Sequence, residues 1–280
     1  MNRMLTFMFI FSLFYAQKEN ALTILVHEQE STINKFEKHF IESVVLLYNR
    51  KNNEQMRIKY QFIKKYQTHF DIIAKADSTE LICSLDAISR TKGRLRKFTL
   101  SEAYLPAKTV VFGLNSTFFD ADSISWKSKG IKVGFVKGSR FAHFKYFWHE
   151  YYDSKMVFLD HRHDYIKALK TRKVNFIVDD ELIALSDTTL KTVHHFNPVI
   201  LTNYALLYPR NSILKKMFDP FIKYVRHSKL YYNRISATFS IEGKQFVKNY
   251  FVNIYNPKKK KQTKKFLKLQ NLIKSNELNK

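Results

Sequence analysis

An α/β protein of two lobes is the fold this 280-residue sequence predicts, and three observations carry that expectation. Short β-branched runs alternate with stretches of helical periodicity, as in units built on a parallel sheet. The alternation occurs twice, over about residues 22–85 and again from Lys132. One strand-like run, Lys108–Gly113, leads out of the first unit, and another, Leu201–Tyr208, returns to it. Two lobes with two chain crossings form the layout that a hinged, cleft-closing protein requires.

Taken in order, Leu22–Val26 reads as a first buried parallel strand. Ile33, Phe36, Phe40, Val44, Leu47 and Tyr48 recur at helical spacing, which predicts an amphipathic helix over 33–50. Arg57–Ile63 alternates as a strand, 64–76 reads as a helix, and 80–85 forms the next strand. A small-residue loop from Asp86 then runs into a short basic helix beyond Thr91. After the crossing strand and a loop over 114–127, the second unit opens at Lys132–Val136 and continues through an aromatic, mostly helical segment over 140–153. A strand at Met156–Leu159, a helix at Asp164–Thr171 and a strand at Val174–Val178 follow; the last ends on Asp179-Asp180 before a helix from 181. Leu201–Tyr208 returns as one strand, 211–228 is an amphipathic helix, and further helices close the fold. Lobe 1 is therefore expected over 22–107 and 202–256, and lobe 2 over 108–201.

Composition narrows the class. Hydrophobic content of 45%, with 25 Phe and 16 Tyr, supports real cores, while 6 Gly and 5 Pro exclude collagen-like and linker-dominated chains. Lys and Arg number 48 against 24 Asp and Glu, a net charge of +24 that points to anionic surroundings such as membrane headgroups or acidic polysaccharide. The cations are spread along the chain and no nucleic-acid module is present, so nucleic acid is not an expected partner. Residues 1–21 read as an export signal, with Arg3 ahead of an apolar run over 5–16 that is too short to span a bilayer. Cys83, the sole cysteine, lies in an apolar strand and permits no intramolecular disulfide, which suits a Gram-negative periplasm. The tail 257–280 carries the lysines of Lys258–Lys265 and is expected to be solvated or to lie on an anionic membrane surface.

The stretch Asp86–Tyr104 holds the chemistry. A hydroxyl-bearing loop entering a helix offers N–H and hydroxyl groups to an anion, and Arg94, one turn beyond Thr91, has the planar fork that grips a carboxylate. On the residues alone, Arg94 is equally one more surface arginine of a basic helix, and Asp179 or Asp180 can serve as a helix N-cap. His161, His163, His194 and His195 lack a third or fourth ligand at metal-site spacing, so no metal and no cofactor are expected. No Ser stands in a nucleophile-elbow context.

Three motifs resemble one family. Ile88-Ser89-Arg90-Thr91-Lys92-Gly93-Arg94 with Leu100-Ser101-Glu102-Ala103-Tyr104 is similar to the ligand loop of amino-acid-binding bacterial solute-binding proteins. Gly130–Ser139 and Ala168–Asp180 resemble two further motifs of that family in the right order, and the likeness runs over about residues 77–235. The resemblance implies a two-lobed periplasmic-binding-protein fold and a small zwitterionic or anionic solute clamped between the lobes. It implies no catalysis, a monomer, and a membrane partner that is either an ABC permease or a sensor kinase. By correspondence Arg94 would hold an α-carboxylate, Ser89 would face the same end, and Asp180 would take the α-ammonium. Ala87, Asp86, Ser139 and Arg140 complete the expected site. Asp86 and Ala87 stand where small hydroxyl or glycine positions are usual, and Arg140 where Thr is common. Two other functions remain open at this point. One is a periplasmic dehydratase-like enzyme using Asp86 or Glu102 as acid; the other is an interaction protein that has lost its ligand.

Overall fold

A computed structural model of the chain describes residues 20–117, 130–141, 155–196 and 200–255. Residues 1–19 of the expected export signal, most of the helical segment over 140–153 and the basic tail lie outside these residues.

Lobe 1 is built on a five-stranded sheet in the order β2 (Arg57–Ile63), β1 (Ala21–His27), β3 (Ile82–Ser84), β11 (Leu207–Tyr208), β4 (Thr99–Leu100). Strand β1 is an interior, nearly continuous apolar run, parallel to β2 along its whole length and to β3. Strand β2 is the edge and shows solvent most of its side chains, which explains its polar alternation. Between them runs helix α1 (Thr32–Asn52), started by a capping box in which the side chains of Ser31 and Asn34 serve each other's backbone. It ends at Asn53, whose left-handed backbone closes the last turn. Helix α2 (Tyr66–Lys75) covers the opposite face. Beyond β3 the chain passes Asp86 and Ala87, both at positive φ (132° and 50°), into helix α3 (Lys92–Lys97) and strand β4 (Thr99–Leu100).

Strand β5 (Leu105–Leu114) carries the chain into lobe 2, where a six-stranded mixed sheet holds β6 (Lys132–Val136), β7 (Lys155–Leu159) and β8 (Phe176–Asp180). β6 runs parallel to β7 and β8, whereas β8 is antiparallel to β5 and sets Asp180 beside Thr109. One 3₁₀ turn (Arg162–Asp164) precedes helix α4 (Tyr165–Lys170). Helix α5 (Glu181–Leu185) leaves directly from β8, and β9 (Leu190–His195), a strand absent from the sequence expectation, pairs with β5.

The returning run is two strands in two sheets. β10 (Leu201–Tyr204) lies antiparallel to the start of β5 and forms the hinge ribbon; β11 (Leu207–Tyr208) joins β3 and β4 in lobe 1. Residues 204–208 are fully buried, so the apolar pattern continues across the break. Helix α6 (Leu214–Arg226) and α7 (Lys229–Tyr255) pack on α1 around Phe36, Phe40, Phe218 and Tyr231. α7 bends at Phe239–Ser240, where the Ser240 hydroxyl accepts from Gly243 N–H and caps the second half. A methyl at Gly243 would stand 2.8 Å from Phe239 Cβ at the bend and 3.3 Å from Leu182 of α5, so this glycine makes room for the bend and for the close approach of α7 to α5.

Candidate functional site

Facing ends of β1, β3, β7 and β8 gather charged side chains from both lobes at the carboxyl ends of the strands, where α/β folds place ligands. From lobe 1 come Asn34 and Glu37 of α1, His27 at the end of β1, His69 of α2, and Asp86. Lobe 2 supplies Arg140, His161, Arg162, His163, Asp179 and Asp180.

Glu37 is fully buried and organises the lobe 1 side. One carboxylate oxygen accepts from Ala87 N–H at 2.7 Å and from the Tyr104 hydroxyl. The other accepts from Asp86 N–H at 3.1 Å and Asn34 Nδ2 at 3.2 Å. The left-handed turn at Asp86-Ala87 is what aims two successive N–H groups at one carboxylate. Burial raises the Glu37 pKa to about 7, against the pull of its hydrogen bonds. Asn34 Nδ2 also donates to Asp86 Oδ1 at 3.2 Å. His69 Nε2 lies 3.5 Å from Asp86 Oδ2, and its Nδ1 meets the Ser84 hydroxyl at 2.5 Å. Burial drives His69 down to about 4 and lowers His27 as well, so both are neutral at physiological pH.

On the lobe 2 side two adjacent aspartates are each paired. Asp179 accepts from Arg162 Nε at 2.9 Å and from the Tyr165 hydroxyl. Asp180 accepts from Arg140 at 2.5 Å and from the hydroxyl of Tyr204 on the hinge strand. Burial pushes the Asp180 pKa up, opposed chiefly by Arg140. For Arg162, burial works against the charge, but Asp179 and the surrounding oxygens override it and hold the guanidinium well above its ordinary range. Such pairs are strongly destabilised by loss of one partner, since the other stays buried and uncompensated.

The lobes meet through Arg162. Its Nη1 lies 3.4 Å from the Asp86 carbonyl and 3.8 Å from the Asp86 carboxylate. Beside it, the ring of His27 packs edge-on to His161 at 4.4 Å between centroids, and His161 stacks on His163 at 4.7 Å. The space enclosed is about 20 Å³, lined by Asp86, Arg162, Asn34 and the three histidines among others, which is room for about one water. Neither ring nitrogen of the buried His27, nor His161 Nδ1, has a hydrogen-bond partner among the described residues. No group of three or more His, Cys, Asp or Glu among those residues is arranged to hold a metal ion.

Of the seven residues expected from the sequence, Asp86 lines this space. Ala87 contributes its N–H to Glu37. Asp180 and Arg140 are bound to each other one layer deeper, and Arg140 also donates to Thr109 at 2.6 Å. Ser139 is buried nearby, its hydroxyl without a partner among the described residues. Ser89 is buried on the hinge, bridged to Tyr204, and its carbonyl accepts from Arg94 Nη1 at 3.0 Å. Arg94 does not line the space; its guanidinium also sits 4.7 Å over the ring of Phe70. Glu102 pairs with Lys223 at 3.3 Å, away from the cleft. Glu37 and Arg162, which hold the site together, were not singled out as site residues from the sequence. Glu37 had a signal: it lies beside Phe36 and between Ile33 and Phe40, on the apolar face of α1, where a carboxylate needs partners.

No protein-family model and no curated protein matches the sequence. Solved structures match its fold. The GluR0 ligand-binding core from Nostoc punctiforme, in complex with L-glutamate, covers 79% of this chain and 99% of its own at a TM-score of 0.58 and 16% identity. An arginine transport system periplasmic binding protein from Legionella pneumophila covers 78% and 99% at 0.61 and 14%. A putative L-cystine ABC transporter protein from Listeria monocytogenes covers 80% and 97% at 0.63 and 12%. Sequence motifs and architecture thus converge, and the chain carries the two-lobed α/β fold of the amino-acid-binding periplasmic proteins.

Proposed function

We propose that this protein is a solute-binding protein that captures a small amino-acid-like or carboxylate solute between its lobes and carries no catalytic activity. One observation carries the reading: a charged residue of lobe 1, Asp86, and one of lobe 2, Arg162, meet across a cleft at the carboxyl ends of the strands. Arg162 is the cation that a solute carboxylate would take over from Asp86, because its fork suits a carboxylate and its second partner, Asp179, stays in place. Asp86, released from Arg162, and Asp180 are the acceptors for an ammonium group. Ser89, Ala87, Ser139 and Arg140 would shape the walls, and Arg94 would act by fixing the Ser89 carbonyl rather than by gripping the solute. The neighbouring structures in complex with amino acids support this choice of solute class. Cleft closure would be read by an ABC permease or a sensor kinase in the inner membrane, with the protein monomeric in the periplasm. The lysines of Lys258–Lys265 would hold it near anionic lipid. Among the described residues no helix is long and apolar enough to cross a membrane.

A second reading, an interaction protein whose cleft no longer takes a ligand, is favoured by the size of the enclosed space and by the engagement of Arg94 with Ser89 and Phe70. Isothermal calorimetry against the amino acids and small carboxylates separates the two. Saturable binding that disappears in Arg162→Ala and survives in Arg94→Ala, with a change in radius of gyration on saturation, supports the first. No heat with any solute leaves the second.

A further inference from the structure

Outside the cleft, helices α1, α6 and α7 of lobe 1 leave an apolar groove of about 240 Å³. Its floor is core: Phe36, Phe40 and Tyr231 are almost fully buried. Its rim is the reverse, since Leu46, Tyr224 and Leu230 expose 51%, 68% and 61% of their surface. Three large apolar side chains around one concavity are more than scattered surface hydrophobics, and such patches mark binding sites. Of the hydroxyls on its lining residues, Ser43 donates to the His39 carbonyl, Ser228 to the Val225 carbonyl and Tyr231 to the Tyr104 carbonyl, which leaves the exposed phenol of Tyr224 at the rim. The charged groups are the guanidinia of Arg50 and Arg234, and no acidic residue lines the groove. Neither arginine has a hydrogen bond or ion pair to a described residue.

We propose that this groove binds a single-chain anionic amphiphile, a fatty carboxylate, with its acyl chain on Phe36, Phe40 and Tyr231 and its head group between Arg50 and Arg234. Size supports a single chain: an apolar cavity of about 150 Å³ already accepts benzene, whereas the side chains of a docked helix need a longer trough. Charge selects an anion and argues against the two occupants the chain itself could supply. The segment Phe266–Ile273 contains Lys268 and is flanked by Lys264, Lys265 and Lys274, and a second copy brings another net charge of +24.

The test uses decanoate below its micelle concentration and the full chain. Calorimetry is expected to give one saturable site per protein, and Arg50→Gln with Arg234→Gln to weaken it by about tenfold or more. Decyltrimethylammonium, with the same tail and the opposite charge, is expected not to compete. Absence of decanoate binding, equal binding by the double variant, or competition by the cationic amphiphile overturns the proposal. So does binding to phosphatidylglycerol vesicles without binding to monomeric decanoate, which assigns the face to a bilayer. Neither arginine lines the cleft, so circular dichroism and solute titration of the same variant separate this site from the solute reading.

Discussion

Glu37→Gln tests the buried network directly. The carboxyl has an ordinary pKa of 4.5, and burial raises it to about 7 in the fold. An acid that titrates higher when folded binds its proton more tightly there. Its contribution to stability is therefore complete below about pH 4.5 and is lost as the pH rises through about 7. At about 1.4 kcal/mol for each tenfold change in proton affinity, that gap comes to roughly 3 kcal/mol. Glutamine keeps the shape and one acceptor oxygen, enough for the Ala87 N–H, sets an NH2 where the Asp86 N–H and Asn34 donated, and has no proton to titrate; the lost acceptor is a cost that does not vary with pH. Urea unfolding of both proteins at half-unit steps from pH 4 to 8 reads the effect as a difference. The stability of the wild type relative to the variant should fall by roughly 3 kcal/mol between about pH 4.5 and 7.5 and stay level on either side. The difference is needed because His69 works the other way. Burial lowers its pKa from 6.5 to about 4, so its contribution is present above pH 6.5 and is lost as the pH falls through 4. The two groups offset each other over much of the wild-type profile, and the variant should reveal a stability that climbs with pH. A difference that is constant across the range, or that grows with pH, refutes the assignment of Glu37 as a buried acid.

Arg162→Ala leaves Asp179 buried without its ion partner and should lower stability by about 3–5 kcal/mol, on the order of 10 °C in thermal unfolding. Adding Asp179→Asn should restore at least half of that loss; a double variant no more stable than the single one would show that the pair contributes nothing as a pair. A methyl on Gly134 of β6 would stand 2.7 Å from the end of Ile177, so Gly134→Ala should cost about 1–3 kcal/mol in denaturant unfolding; a neutral result would mean that Ile177 simply turns away. Cys83 is fully buried and its thiol is pushed well above its ordinary range by that burial. Its labelling by an aromatic disulfide reagent should follow opening of the lobe 1 core and accelerate with urea; prompt labelling of the native protein would contradict the packing of β3 on β1.

Strand and helix periodicity made the lobe order and both crossings legible because each element buries one face against a sheet. Where periodicity misled, a tertiary cause is visible. Leu190–His195 carries Lys and two His and reads as surface, yet it is a strand because β5 offers it an edge. Leu201–Tyr208 reads as one strand because its apolar run does not break at Ala205-Leu206, where the chain changes sheets. The site was less legible. Motif spacing drew attention to Arg94, but the fold turns that side chain along its own helix toward Ser89 and Phe70. Asp180 was visible as a charge at a strand end, whereas its partner Tyr204 lies 24 residues on, across the hinge, and no local pattern joins them. Arg162, between two histidines at the end of β7, had only its position to recommend it.

The loop at Asp86-Ala87 arrives already occupied. Its two N–H groups are directed at a carboxylate that belongs to the same chain, so Glu37 acts there as a tethered competitor. Tethered groups compete at effective concentrations of millimolar or higher. An anion seeking those two N–H groups from solution at lower concentration leaves Glu37 in place, whatever its fit to the mouth of the cleft. Because Glu37 is near half protonation around neutral pH, its strength as a competitor falls on mild acidification. The threshold for entry at this loop is thus set by one residue of helix α1 and varies with the acidity of the surroundings.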